Sequence, residues 1–261
     1  MKRKLPELLA PAGGREQLEA AVSNGADGVI VQDMGLIRLL RNYLPDMPMH
    51  LPTQGTIYNP QALDFIRDLG ISRVVLAREL TLEEIYAMTA GSIEIEVFVH
   101  GALCICYSGQ CQMSRLLAAG KTGGSGGRSG NRGLCAQPCR LEYIDDRNRR
   151  YYALSPKDIC TIDSIPALCE AGVDSFKIEG RLKSAEYVAT VTRIYRKYLN
   201  LYNEGRWPGE IDPWDAHELE QIFNRGGFTE GYLYGNPGEA LLSGESPKNR
   251  GCIHGSCDFG A

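Results

Sequence analysis

The sequence predicts an α/β fold of the TIM-like (β/α) barrel kind, complete or incomplete, followed by a short irregular C-terminal extension. One unit recurs: a helical stretch ends in Gly, a small or apolar residue follows, and a β-branched run comes next, in Ser23–Asp33, Asp68–Glu79 and Glu170–Arg181. Each run is nearly continuous in apolar residues, as a parallel strand buried on both faces requires. No strand candidate is followed by G-x-G-x-x-G, which removes the commonest reason to prefer an open dinucleotide-binding sheet.

Taken in order, further strands are expected at Glu7–Ala10, Met49–Thr53, Ile93–His100 and Tyr151–Leu154. Amphipathic patterning places helices at Arg15–Ser23, Leu36–Tyr43, Gln61–Leu69, Leu82–Met88, Ile162–Glu170 and Ala185–Leu201. Gly25, Gly70 and Gly172 stand where a helix C-cap needs a left-handed residue. Strands alternating with helices imply a parallel sheet with crossover helices. Lys121–Gly130 (KTGGSGGRSG) reads as a flexible Gly/Ser-rich loop, set within 120–130. The barrel domain is placed at 1–205. Residues 206–261 hold one more helix, Ala216–Phe223, and an irregular segment that looks truncated and carries Cys252 and Cys257.

Composition narrows the functional classes. A charged fraction of 23% and 8% aromatics suit an ordinary globular protein. No run of about 18 apolar residues suggests a membrane span. MKRKLPELLAPAG lacks the apolar stretch of a secretory signal, so the nine cysteines are read as reduced and cytoplasmic. A net charge of −4 argues against non-specific coating of nucleic acid, and DNA is not an expected partner.

In a barrel, chemistry sits where strands end. The residues there are Gln32 and Asp33, Gln54, Arg78 and Glu79, His100, Lys157 and Asp158, and Glu179 and Arg181. Together they predict a polar pocket at one rim, although any loop places some charges after strands. Five of the nine cysteines (Cys104, Cys106, Cys111, Cys135 and Cys139) fall between Glu96 and Arg140. Structural zinc favours short C-x2-C knuckles, and none occurs here. The wide spacing, extended by Cys160, suits an iron–sulfur cluster better. Cys106 and Cys169 read as small core residues. A cysteine or serine nucleophile is the competing reading, with His100 as base near Cys104, Ser108 and Ser114.

The segment E-x-F-x-x-G-A-L-C-x(4)-G-x-C-x-x-S, running from Glu96 to Ser114, together with NRGLCAQPCR, SPKDIC and DSFKIEGRLKS, resembles peptidase family U32, the collagenase-like peptidases. PELLAPAG near the start and SPKNRG near the end extend the resemblance over nearly the whole chain. Despite that label, the resemblance implies oxygen-independent hydroxylation of RNA or quinone precursors, a tRNA wobble uridine being the leading substrate. It implies a 4Fe–4S cluster on Cys104, Cys111, Cys135 and Cys160, with Cys139 in reserve. Prephenate is implied as a hydroxyl donor, tRNA as partner and a U32 paralogue as a possible second partner.

On this reading His100, Glu179 and Arg181 are the catalytic candidates, and Gln54, Arg78, Lys157 and Arg140 bind substrate. Arg128, Arg132, Arg140 and Arg181 would contact phosphates. A peptidase is the alternative, and a truncated, inactive family member the third reading. Members that this chain resembles carry additional βα units after a GAD-like turn. Here NGAD runs directly into GVIVQDMGLIRLL, which leaves the barrel short.

Overall fold

A computed structural model describes residues 9–11, 28–122, 128–131, 133–180, 183–244 and 247–249. The strands are β1 (Leu9–Pro11), β2 (Gly28–Ile30), β3 (Met49–Leu51), β4 (Ile71–Val75), β5 (Glu94–Ala102), β6 (Tyr143–Ile144), β7 (Arg150–Tyr151), β8 (Asp158–Cys160), β9 (Ser175–Ile178) and β10 (Phe228–Thr229). The helices are α1 (Met34–Tyr43), α2 (Pro60–Asp68), α3 (Leu82–Thr89), α4 (Met113–Thr122), α5 (Ile165–Glu170), α6 (Ala185–Asn203) and α7 (Pro213–Ile222). The fold is mixed α/β with a mostly parallel sheet.

The chain divides into two compact units. The first comprises Met1–Val97, Cys106–Ala136 and Ala171–Phe176; the second comprises Phe98–Ile105, Gln137–Glu170 and Lys177–Ala261. Strand β5 runs through both.

In the first unit β1, β2, β3, β4 and the start of β5 pair in chain order, and every pair is parallel. The core gathers Val29, Met49, Leu51, Val74, Val75 and Ile95 from β2 to β5, with Val31 just past β2, all buried. Helix α1 begins where the Asp33 carboxylate accepts from Leu36 N–H, and it buries Leu36, Ile37 and Leu40 at helical spacing. Asn59 caps α2 ahead of Pro60, whose missing N–H costs nothing in the first turn. Thr81 and Glu84 form a capping box at α3. Gly70 follows α2 in the left-handed region (φ 84°), as its C-cap position requires. Gly172 does the same after α5 (φ 82°).

In the second unit the end of β5 pairs antiparallel with β8, matching His100 with Cys160 and Ala102 with Asp158. Strand β8 then pairs parallel with β10. Strands β6 and β7 form a separate antiparallel pair. Helix α6 is capped by Ser184 and buries Tyr187, Val191, Ile194, Tyr195 and Tyr198 along one stripe.

Several element assignments are corrected. Tyr151–Leu154 is not a sheet strand: only Arg150–Tyr151 is extended, in the β6–β7 pair, and the sheet strand is Asp158–Cys160. Lys121 and Thr122 end α4 and are not linker. Ile162–Ser164 is a 3₁₀ turn that precedes α5. The expected helix at Arg15–Ser23, the Gly25 cap, the NGAD turn, Arg132, Arg181, Cys252 and Cys257 lie outside the described residues.

Candidate functional site

The second unit places a polar group at the end of β5. His100 is fully buried and packs among the rings of Tyr187, Tyr195 and Phe228, at centroid distances of 6.0, 5.5 and 5.4 Å. Tyr195 donates to Val99 O (2.7 Å) and lies 3.4 Å from His100 Nδ1, while His100 Nε2 has no hydrogen-bond partner among the described residues. Burial, assisted by the Lys183 charge, lowers the imidazole pKa to about 3. The ring is therefore neutral near pH 7, and it can hold a hydrogen bond but stores no proton.

Gly101 makes this arrangement possible. Its φ is +110°, and a Cβ there would stand 2.5 Å from Glu179 O. The close approach lets Glu179 N–H donate to His100 O (2.8 Å) while Tyr187 donates to Glu179 O (3.1 Å). Glu179 is thus held against β5 by its backbone.

Beside it, Asp158 and Arg225 form a buried ion pair (Oδ1 to Nη1, 2.5 Å), the two residues being 1% and 7% exposed. Among the described residues, Asp158 Oδ2 and Arg225 Nε have no hydrogen-bond partner. Burial pushes the Asp158 carboxyl up, against the charges of Arg225, Lys183 and Arg140. Lys183 is half-buried; its ammonium lies over the Phe223 ring and 5.2 Å from the centroid of Tyr187. The Arg225 guanidinium lies 4.8 Å from the same Phe223 ring.

Arg140 is only 9% exposed. Its guanidinium donates to Ser155 Oγ (2.8 Å), Pro156 O and Leu103 O (3.0 Å). It ties the backbone beside Cys104 to its own neighbour Cys139 and to the approach to β8, and a side chain so committed does not reach a phosphate. Cys160 Sγ lies 3.8 Å from Tyr195 Oη, and burial pushes its thiol up to about 11. Lys157 donates its backbone N–H to Leu241 O (2.9 Å).

The first unit brings a different set together. Gly109 (φ +75°) sits where a Cβ would be 2.5 Å from Gln54 O. Thr56 Oγ1 donates to Ser108 O (2.9 Å), Gln110 Nε2 to Thr56 Oγ1 (3.0 Å) and Asn131 Nδ2 to Gly109 O (2.9 Å). The Gln54 turn, the Cys111 segment and the Cys135 segment are thereby laced together. Ser114 Oγ accepts from Ala136 N–H (3.0 Å) and lies 3.5 Å from Cys135 Sγ. Arg128 donates to Leu134 O (3.2 Å) and Cys135 O (3.4 Å). Ser108 Oγ accepts from Arg78 N–H (3.0 Å), and Ser108 N–H donates to the Glu79 carboxylate (3.0 Å).

The expected cluster ligands thus divide, Cys111 and Cys135 in the first unit and Cys104 and Cys160 in the second. Their soft thiol donors match an iron–sulfur cluster, and each unit holds two of these four. Among the described residues no three His, Cys, Asp or Glu side chains converge to hold a metal ion. Lys183, Arg225 and Tyr195 carry much of the second site. Sequence reasoning singled out neither Lys183 nor Arg225, because their partners are distant in the chain.

These features define a cysteine-rich α/β protein whose second unit gathers three cationic side chains around one buried carboxylate. The family model described as Peptidase family U32 matches residues 12–243, and the chain belongs to that family. It is 39% identical over 250 residues to the "tRNA hydroxylation protein P1" of Bacillus subtilis (strain 168), covering 90% of this chain and 57% of that protein. It is 38% identical over 237 residues to the "23S rRNA 5-hydroxycytidine C2501 synthase" of Escherichia coli (strain K12), covering 86% of this chain and 34% of the other. A "Collagenase" of Porphyromonas gingivalis (strain ATCC BAA-308 / W83) is 34% identical over 242 residues, covering 85% and 55%. The chain therefore spans about half the length, or less, of these curated relatives.

Proposed function

We propose that this chain acts in oxygen-independent hydroxylation of RNA, with a tRNA wobble uridine as substrate. The observation that carries this reading is the 39% identity, over nine-tenths of the chain, to a protein named for tRNA hydroxylation. A second relative, named for rRNA hydroxycytidine synthesis, supports the same chemistry on another RNA. The proposal includes a 4Fe–4S cluster on Cys104, Cys111, Cys135 and Cys160, prephenate as hydroxyl donor and a U32 paralogue as partner. Such a cluster would supply one-electron chemistry. The TIM-like barrel belongs to the same proposal; the five parallel strands of the first unit favour it, and the antiparallel β5–β8 pair does not.

Within this reading, buried neutral His100 orients a bound group through Nε2 and does not shuttle protons. Glu179 is held against β5 by its backbone, and its carboxylate acts on substrate together with Arg181. Arg128, being exposed, is the phosphate contact; Arg140 instead positions the backbone beside Cys104. No described helix is long and apolar enough to cross a membrane.

The peptidase reading rests on the collagenase relative. The low imidazole pKa of His100 weakens it, because a general base must be poised near working pH. Nucleoside mass spectrometry of tRNA from a strain lacking the gene tests the proposal. Loss of 5-hydroxyuridine-type nucleosides is expected; unchanged tRNA together with gelatin cleavage abolished by Cys104→Ser would replace this reading with the peptidase.

A further inference from the structure

Among the described residues, the first unit exposes five large aromatic side chains, Tyr43, Tyr58, Phe65, Tyr86 and Tyr107. Exposure by itself singles out none of them. Position does. Tyr58 and Tyr107, 61% and 72% exposed, lie in the loops that follow β3 and β5. Those loops leave the carboxyl end of the parallel strands, where α/β sheets bind their ligands. Tyr43 closes α1 at the opposite edge, where the chain turns back into β3. The backbones beside Tyr58 and Tyr107 are pinned to one segment just after β4. Ala77 N–H donates to Ile57 O (2.9 Å), and the Ile57 side chain is buried. Buried Ser108 accepts at Oγ from Arg78 N–H (3.0 Å) and donates its N–H to the Glu79 carboxylate (3.0 Å). Thr56 Oγ1 closes the frame by donating to Ser108 O (2.9 Å). Three Cα steps and this one hydrogen-bonded link separate Tyr58 from Tyr107, which keeps their Cα atoms within roughly 20 Å.

We infer that Tyr58 and Tyr107 stack on the bases of an unpaired RNA segment. The inference rests on the RNA reading above and names two side chains that grip the strand. An exposed tyrosine on an anchored loop offers a π-face at low entropic cost, and every base has a face to match it. Bases inside an A-form helix already stack on one another, so only the splayed nucleotides of a loop, bulge or end can use such rings. Charge agrees with that occupant. Arg115 and Arg128 are exposed in the same unit, on the stretch of chain that continues from Tyr107, and supply cations for phosphates. The Glu79 carboxylate, which would repel phosphates, is engaged by Ser108. A protein partner fits less well, because two rings offer far less than the about 800 Å² that each side of a stable interface buries.

The test is fluorescence anisotropy of the full chain with a labelled RNA hairpin whose loop holds unpaired uridines, against a blunt duplex of the stem sequence. The hairpin should bind more tightly than the duplex. Tyr58→Ala and Tyr107→Ala should each weaken hairpin binding by about fivefold or more, the scale of one lost base stack. Tyr58→Phe and Tyr107→Phe keep the ring and should stay within about twofold of the parent chain. Tyr43→Ala, at the opposite edge of the sheet, should bind as the parent does. If an alanine variant does not fold, photocrosslinking of the parent chain to a loop carrying 5-bromouridine decides, with adducts expected on the peptides that hold Tyr58 and Tyr107. Hairpin binding retained by both alanine variants, a matching loss in Tyr43→Ala, equal binding of hairpin and duplex, or adducts elsewhere would overturn the stacking and leave the RNA reading standing. Binding of neither RNA by the parent chain would overturn both.

Discussion

Asp158 and Arg225, 67 residues apart in sequence, meet as a buried ion pair at 2.5 Å, with Asp158 Oδ2 and Arg225 Nε left without hydrogen-bond partners among the described residues. Removing one member leaves an uncompensated buried charge, which costs about 3–5 kcal/mol. Arg225→Met or Asp158→Leu should each lower stability by about that amount in urea titrations. The double variant should lose clearly less than the sum. Additive losses would mean that the pair is not coupled.

Gly101 is the second tight point. A side chain there meets both a positive-φ backbone and the Glu179 carbonyl. Gly101→Ala should cost roughly 1–3 kcal/mol. Gly205 also has a positive φ, but nothing lies within 4 Å of the place a methyl group would take there. Gly205→Ala should therefore cost no more than about 1 kcal/mol. Equal losses in denaturation midpoint would show that the close approach to Glu179 is not tight.

Lys183 gives a pH signature. Its folded pKa, about 7, lies below the unfolded value near 10.4. Between these values the unfolded chain binds more protons, so the Lys183 contribution to stability rises with pH through this window. Below about pH 7 both states are protonated and the penalty is complete; above the unfolded value both are neutral and it vanishes. Lys183→Met should flatten this part of a stability–pH curve and raise stability most at its acid end. An unchanged slope would contradict the buried-amine environment.

Ser114 links the Cys135 thiol to the Ala136 N–H. Ser114→Ala removes that acceptor and should cost about 1 kcal/mol. Ser114→Thr, which keeps the hydroxyl, should recover most of it. Thermal melts of both variants measure this.

Much of the first unit is legible in the sequence because its strands are short, largely apolar runs, one of them directly after a glycine-ended helix, at Gly70 before Ile71–Val75. Strand β8 is harder to see: three residues, DIC, follow Pro156-Lys157 and carry Asp158, a poor strand former. Strand β10 has only two residues behind Gly226 and Gly227. The spacing of the cysteines is plain in the sequence, but their division between units depends on β5 passing through both. His100 is legible as a strand-end histidine, whereas its neutrality comes from burial against Tyr195 and from Lys183, both far along the chain. The Lys183 setting is legible only once Phe223 and Arg225 fold back over it.

RNA hydroxylation through the cysteine set is tested most directly by nucleoside mass spectrometry in a complemented deletion strain. The parent gene should restore 5-hydroxyuridine-type nucleosides in tRNA, while Cys104→Ser and Cys135→Ser, expressed to the same level, should not. Full restoration by both cysteine variants, or no change in tRNA on deletion, would contradict it.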